Sequence, residues 1–166
     1  DVIEWIKLII SWNSNAQIIL HGVSMGAATV LMASGEELPE NVKVIIADCG
    51  YTSEWDEFKC EANALHIPWF PVLNAASVLS RLRDGYDFKQ ASALEKVKQS
   101  RIPTLFIHGS DDELVPYSML DKLYSAAACE KECLTVNGAG HALSSSVEPE
   151  LYWNTVESFI DKYLEK

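Results

Sequence analysis

The chain alternates short apolar runs with longer segments in which apolar residues recur every three or four positions. Continuous apolar runs of this length predict buried strands, at residues 17–21, 42–47, 102–108 and 133–136. The three-to-four spacing predicts helices, at residues 1–12, 25–33, 87–99, 117–128 and from Pro149 onward. Buried strands that alternate with helices predict an α/β fold, with a parallel sheet of about four strands covered by helices on both faces.

The pattern changes between the second and third predicted strands. Residues 51–85 are rich in aromatic and aliphatic side chains and are interrupted by Pro68 and Pro71, which predicts two or three short helices joined by bends. These helices either cover the core or form a lid that lines an apolar pocket, and the two roles are compatible. We therefore predict a single domain over residues 1–166, with a helical lid insertion at about 52–100.

A sharp turn is predicted between the first strand and the second helix, at Gly22-Val23-Ser24-Met25-Gly26. A strand, the pattern G-x-S-x-G and a helix together are typical of a nucleophile elbow. Gly22 and Gly26 have no Cβ atom, and we expect that a Cβ atom at either position would clash at such a turn. Ser24 is then exposed at the apex of the turn. The helix that begins at Met25 points its free N–H groups toward an anion that develops there.

Four polar side chains follow the ends of the predicted strands: Ser24, Asp48, Asp112 and His141. In a parallel sheet with right-handed crossovers, these ends lie on one edge, where open α/β sheets bind ligands. A serine hydroxyl needs a base to take its proton, and the base works better when a carboxylate orients it. His141 is the predicted base, while the position of the acid leaves both Asp48 and Asp112 open.

The order of nucleophile, acid and histidine resembles that of the α/β-hydrolase superfamily. The segment 107–116 is similar to the one that carries the family's acid, with the Asp three residues after the Gly, which selects Asp112 over Asp111. Asp48 stays the alternative acid. The loop 138–141 resembles the family's histidine loop. The resemblance covers about residues 17–166 and is greatest to bacterial serine hydrolases of the prolyl-oligopeptidase-like and esterase/lipase-like kind.

This resemblance implies a Ser-His-Asp triad of Ser24, His141 and Asp112, with the Met25 N–H in the oxyanion hole and no cofactor or metal. The implied reaction is cleavage of an ester or similar acyl bond in a small-molecule substrate. Alternatives are a peptidase of the prolyl-oligopeptidase-like kind, and a catalytically weak or inactive fragment that acts only in binding or self-association. Comparing the hydrolysis of an acyl ester with that of an aminoacyl amide would distinguish the esterase from the peptidase.

The chain departs from this family pattern at its start, because the family has several strands before the elbow and this chain has one helix. It resembles the C-terminal part of a longer protein, so the second oxyanion donor, which comes from an early loop, is expected to be missing. Strand 17–21 becomes an exposed edge, and we predict a homo-oligomer through it. Any targeting segment would lie upstream, so the compartment stays open, with a cytoplasmic location slightly favoured.

The composition argues against some classes of partner and against a zinc site. The chain has 166 residues, 48% of them hydrophobic, and a net charge of −11, which argues against nucleic acid and anionic membranes as partners. The four cysteines form no CxxC pair, so we expect free thiols and no zinc site, and Cys49 lacks a predicted base of its own. Of the other histidines, His21 is expected to be buried and hydrogen-bonded, His108 structural, and His66 part of the lid.

Overall fold

A computed structural model describes residues 1–164. The described helices are α1 (Val2–Trp12), α2 (Met25–Ala33), α3 (Glu54–Ala64), α4 (Trp69–Asp84), α5 (Ala93–Val97), α6 (Ser118–Ala126), α7 (Ser144–Val147) and α8 (Pro149–Asp161). The strands are β1 (Ile18–Val23), β2 (Val42–Asp48), β3 (Thr104–Gly109) and β4 (Lys131–Val136). Among the described helices, none is long and apolar enough to cross a membrane.

The four strands form one parallel sheet in the order β1-β2-β3-β4. The α/β fold predicted from the apolar runs is therefore confirmed, with β1 at one edge of the sheet. All strands run the same way, so Val23, Asp48, Gly109 and Val136 end them on one side of the molecule. This shared edge is where the loops that carry the polar side chains begin.

Helices cover both faces of the sheet, because neighbouring residues of a strand point to opposite faces. In β2, Ile45 packs in a core with side chains of α1, α2, α5 and α6. The next residue, Ile46, packs in a second core with Tyr152, Val156 and Phe159 of α8. Both isoleucines are fully buried, which explains why β2 is continuously apolar rather than alternating.

The helix predicted over residues 87–99 is wrong for its first half, since α5 begins only at Ala93. The Asp87 carboxylate accepts hydrogen bonds from the N–H groups of Lys89 and Gln90, which closes a turn there instead. Ser92 then caps α5 by accepting a hydrogen bond from the Glu95 N–H. The short helix α7 has no counterpart in the prediction.

The segment after β2 folds into two helices, α3 and α4, where two or three were predicted, but α4 spans 16 residues and is longer than the short helices expected. Leu73 is the large apolar residue of α4 that is buried, while several others are exposed, namely Phe70, Val72, Val78, Leu79 and Leu82. Covering the core therefore accounts for little of the apolar surface of α4. Helix α3 instead lies beside the elbow, where its residues line a cavity together with Ser24 and Met25.

Candidate active site

Ser24 occupies the turn between β1 and α2 with a backbone that residues other than glycine rarely adopt, at φ 55° and ψ −118°. Hydrogen bonds hold it on both sides: its N–H donates to the Asp48 carbonyl at 2.8 Å, and its carbonyl accepts from the Ala28 N–H at 3.0 Å. A strained backbone held by its surroundings is a feature of functional residues. The Ser24 hydroxyl is thereby fixed above the end of the sheet.

The two glycines of the elbow differ in their roles. A Cβ atom on Gly22 would lie 2.3 Å from the carbonyl carbon and oxygen of Gly26, so the expected steric requirement is confirmed there. A Cβ atom on Gly26 would meet nothing within 4 Å, so the same expectation is wrong for Gly26. Only Gly22 allows β1 to approach the backbone of α2 so closely.

His141 lies between Ser24, the candidate nucleophile, and Asp112, the candidate acid. One ring nitrogen, Nε2, is 2.7 Å from Ser24 Oγ, and the other, Nδ1, is 2.8 Å from Asp112 Oδ2. The His141 side chain is 20% exposed and the Asp112 side chain is fully buried. The structure therefore brings together the three residues predicted from sequence, with one ring nitrogen for each partner.

Asp112 is held in its ionised form. Burial raises its pKa, but hydrogen bonds from His108, His141 and the Val115 N–H more than offset this, so the pKa of Asp112 lies below its ordinary value. The other carboxylate oxygen accepts from the N–H groups of Leu114 and Val115 at 3.0 and 2.9 Å. An ionised, fixed carboxylate can stabilise a protonated imidazole.

His108 is fully buried, and its Nε2 lies 3.0 Å from the Val115 carbonyl and 3.3 Å from Asp112 Oδ2. The sequence predicts a structural role for it but not this contact with the acid. The available signal is its place at the end of β3, four residues before Asp112. His108 thus contacts Asp112, the candidate acid, in the protein interior.

Asp48, the alternative acid, belongs to a different hydrogen-bond network. It is 2% exposed, its Oδ1 accepts from the Ser144 hydroxyl at 3.2 Å, and it is hydrogen-bonded to Tyr152. The Tyr152 hydroxyl in turn lies 3.0 Å from His21 Nε2. Burial raises the pKa of Asp48 above its ordinary value. His21 is hydrogen-bonded as predicted, but it is exposed rather than buried because β1 is an edge strand.

A cavity of about 190 Å³ opens beside Ser24. Its eight lining residues come from the elbow, the loop after β2, helix α3 and the acid loop, and they are Ser24, Met25, Tyr51, Glu54, Glu57, Phe58, Glu61 and Leu114. A larger apolar cavity of about 340 Å³ lies between α3 and α4 and shares Phe58 and Glu61 with it. Helix α3 therefore forms a wall of the candidate site, and the sequence pattern alone did not identify which of its residues face Ser24.

Cys49 also lies close to the candidate triad. Its sulfur, one Asp112 oxygen and one His141 nitrogen lie within 4.8 Å of one another, the one such metal-compatible group among residues 1–164. Burial, with the Asp48 charge, raises the pKa of Cys49 to about 12, so it stays a neutral thiol, a poor ligand and a poor nucleophile. All four cysteines are free, as predicted.

Solved structures share this fold over nearly the whole chain. An acetyl xylan esterase from Paenibacillus sp. R4 superposes with a TM-score of 0.73 at 17% identity, covering 98% of this chain and 51% of that one. A Pyrococcus furiosus esterase gives a TM-score of 0.68 at 21% identity, covering 98% and 59%. A Pyrococcus horikoshii acylaminoacyl peptidase gives 0.65 at 15% identity, covering 97% and 27%. At these identities the likeness concerns the fold.

Two proteins related in sequence have a higher identity to this chain than the solved structures do. "Uncharacterized protein YqkD" of Bacillus subtilis is 31% identical over 150 residues, which covers 90% of this chain and 49% of that protein. "Alpha/beta hydrolase domain-containing protein 17C" of Xenopus tropicalis is 30% identical over 106 residues, covering 62% and 34%. The chain thus spans about half or less of the length of these relatives. The model of the prolyl oligopeptidase family matches residues 1–166, and the chain belongs to this family of α/β hydrolases.

Proposed function

We propose that this chain carries the catalytic centre of a serine hydrolase that cleaves an ester or similar acyl bond. The observation that carries the proposal is the pair of contacts of His141, at 2.7 Å to Ser24 Oγ and 2.8 Å to Asp112 Oδ2. Membership of the prolyl oligopeptidase family supports it, as does the fold that the chain shares with an esterase and an acylaminoacyl peptidase.

The proposed reaction has two halves. Ser24 Oγ attacks the acyl carbonyl while His141 Nε2 takes the hydroxyl proton, and His141 then gives that proton to the leaving group as the bond to it breaks. In the second half, His141 takes a proton from water, the resulting hydroxide attacks the acyl-enzyme, and the proton returns to Ser24. Asp112 stays ionised throughout and stabilises the protonated ring of His141.

The oxyanion formed in each half needs hydrogen-bond donors. Met25 begins α2, so its N–H has no intrahelical partner and is the donor that we propose. In this superfamily a second donor comes from a loop early in the sheet, and the absence of one such donor costs about 100- to 1,000-fold in turnover. The turnover of this chain alone can therefore differ from that of a protein as long as its relatives.

We further propose that residues 52–100 act as a lid within a single domain. Helix α3 supplies four of the eight residues that line the cavity at Ser24, namely Glu54, Glu57, Phe58 and Glu61. Its partner α4 exposes large apolar side chains rather than filling the core. A lid in this place would shield the acyl-enzyme from water and would shape substrate choice.

Intact-mass analysis after incubation with a fluorophosphonate tests the nucleophile. We expect one adduct on the native chain and none on Ser24→Ala. Ser11→Ala is the matched control, because Ser11 lies on the exposed side of α1, outside the cavity. An adduct that persists in Ser24→Ala would place the nucleophile elsewhere. No adduct on the folded native chain would contradict the proposal for this chain.

Peptide hydrolysis is the second proposed function, favoured by the match to the prolyl oligopeptidase family. It uses the same three side chains, and the difference lies in the leaving group, which is an amine rather than an alcohol. A direct comparison uses an acyl ester and an aminoacyl amide with the same acyl group. Turnover of the ester alone supports an esterase, whereas turnover of both at comparable rates supports the peptidase.

A further inference from the structure

Three carboxylates of α3 face the nucleophile across the cavity. Glu54, Glu57 and Glu61 follow one another at helical spacing, so they lie on one side of α3, and all three line the cavity that contains Ser24. None of the eight residues that line this cavity is Lys or Arg. The wall that a substrate meets opposite Ser24 is therefore acidic.

Glu57 is the central member of this acidic wall and is only 8% exposed. Its Oε2 is buried and makes no hydrogen bond to any residue that the structure describes, and the same is true of Glu54 Oε2. Buried polar atoms are nearly always hydrogen-bonded, because leaving one without a partner costs free energy. Glu57 lines the cavity and one of its carboxylate oxygens has no protein partner, which points to a ligand that supplies one.

The charges around Glu57 have the same sign as its own. Burial, Glu61 and the triad acid Asp112 together raise the pKa of Glu57 to about 7. No cationic side chain of the cavity offsets this repulsion. A positively charged group in the cavity would relieve it and would stabilise the ionised form of Glu57.

We propose that the cavity binds an organic ammonium group of the substrate, so that the preferred substrates are acyl compounds with a cationic nitrogen near the scissile bond. This inference rests on the proposed hydrolase function and adds the substrate class to it. Tyr51 and Phe58 line the same cavity and provide aromatic rings of the kind that bind ammonium groups.

The arrangement favours an organic cation over a divalent metal ion. Among residues 1–164, the three glutamates do not form a group whose oxygens lie within 4.8 Å of one another. A metal ion needs several oxygens at about 2.0–2.6 Å, so they would have to converge on one point. An alkylammonium group is larger and contacts carboxylates and aromatic rings spread over a cavity wall.

Two thioesters test the preference in turnover. Acetylthiocholine and S-(3,3-dimethylbutyl) thioacetate have the same shape and differ in whether the branching atom is a charged nitrogen or a neutral carbon. We expect kcat/KM to favour the charged ester by about tenfold, since one charge-assisted or cation–π contact in a partly desolvated site has this effect. Glu57→Gln should remove most of this preference, and Glu61→Gln provides a second variant if Glu57→Gln does not fold. Glu150→Gln on α8 is the control for loss of one surface charge.

Calorimetric titration with tetramethylammonium chloride tests the site without turnover. We expect saturable binding to the native chain, to Ser24→Ala and to Glu150→Gln, and weaker binding to Glu57→Gln. Binding without hydrolysis of either thioester or labelling of Ser24 would contradict the hydrolase function while supporting the cation site. Hydrolysis of both thioesters with equal kcat/KM, or no saturable binding, would overturn the ammonium proposal and leave the hydrolase intact.

Discussion

The two glycines of the elbow allow a test of what holds Ser24 in place. A methyl group on Gly22 would put a Cβ atom 2.3 Å from two backbone atoms of Gly26 and 2.6 Å from the Ala27 nitrogen, below the 3.0 Å that real Cβ contacts respect. These neighbours are backbone atoms of α2, so they cannot rotate away as a side chain does. Gly22→Ala must therefore move β1 and α2 apart.

The expected cost follows from this overlap. Overpacking typically costs about 1–3 kcal/mol, and a clash with helical backbone belongs at the upper end. For a chain of this size, a loss of about 3 kcal/mol in the free energy of unfolding lowers Tm by about 6–12 °C. Gly26→Ala meets open space and replaces glycine within α2, so it should leave Tm unchanged or raise it by up to about 4 °C.

Thermal denaturation followed by circular dichroism, on the native chain and both variants at one pH, measures these shifts. Fluorophosphonate labelling of the same samples reports whether the turn at Ser24 survives. We expect Gly22→Ala to lose labelling together with stability, because the φ of 55° at Ser24 depends on the close approach of β1 and α2. Equal losses in the two variants, or a stable Gly22→Ala, would refute this account of the elbow.

Three further predictions concern the acid, the cavity and the sheet edge. Asp112→Asn should slow fluorophosphonate labelling of Ser24 by about 10,000-fold, whereas Asp48→Asn should slow it less than about tenfold, and equal losses would contradict the assignment of the acid. The folded-state pKa of Glu57, about 7, exceeds its ordinary value of about 4.3, so the folded chain keeps a proton that the unfolded chain loses. The stability from Glu57 is thus fully present below about pH 4.3 and is lost as the pH rises through 7. In urea denaturation, the free energy of unfolding of Glu57→Gln should therefore rise by up to about 3 kcal/mol relative to that of the native chain between pH 4 and 8. Parallel pH dependences of the two proteins would exclude this. Self-association through the β1 edge should appear as a concentration-dependent mass in light scattering, and a monomer at every concentration would contradict it.

Hydrophobic patterning was sufficient for the sheet but not for its exact limits. The four apolar runs correspond to the four strands. The inner strands β2 and β3 are buried on both faces and are therefore almost continuously apolar, whereas the edge strands β1 and β4 are partly exposed. Strand β4 nevertheless begins at Lys131, two residues before the predicted start. Lys131 and Glu132 pair with Thr104 and Leu105 of β3 through backbone that a hydropathy pattern does not represent.

The candidate triad could be predicted because its residues carry local signals, namely the glycines of the elbow and the short loops after strands. The contacts of His108 and Glu57 could not, because they join residues of different loops and helices. The acidic spacing of Glu54, Glu57 and Glu61 was visible in the sequence. It became informative only when α3 was seen to pack beside Ser24, since an acidic helix face is most often exposed to solvent.

The two acids that the sequence left open are separated by the order and alternation of the strands. His141 follows β4, whose only neighbour in the described sheet is β3, so the loop that carries Asp112 is adjacent to the histidine loop. Asp48 is the last residue of β2, and its side chain points to the same face of the sheet as that of Ile46, toward Tyr152 of α8. Its side chain is therefore directed into the second core, while its carbonyl oxygen holds the Ser24 N–H at 2.8 Å. A position at a strand end identifies a residue that can reach the site, but the face of the strand decides whether its side chain or its backbone does so.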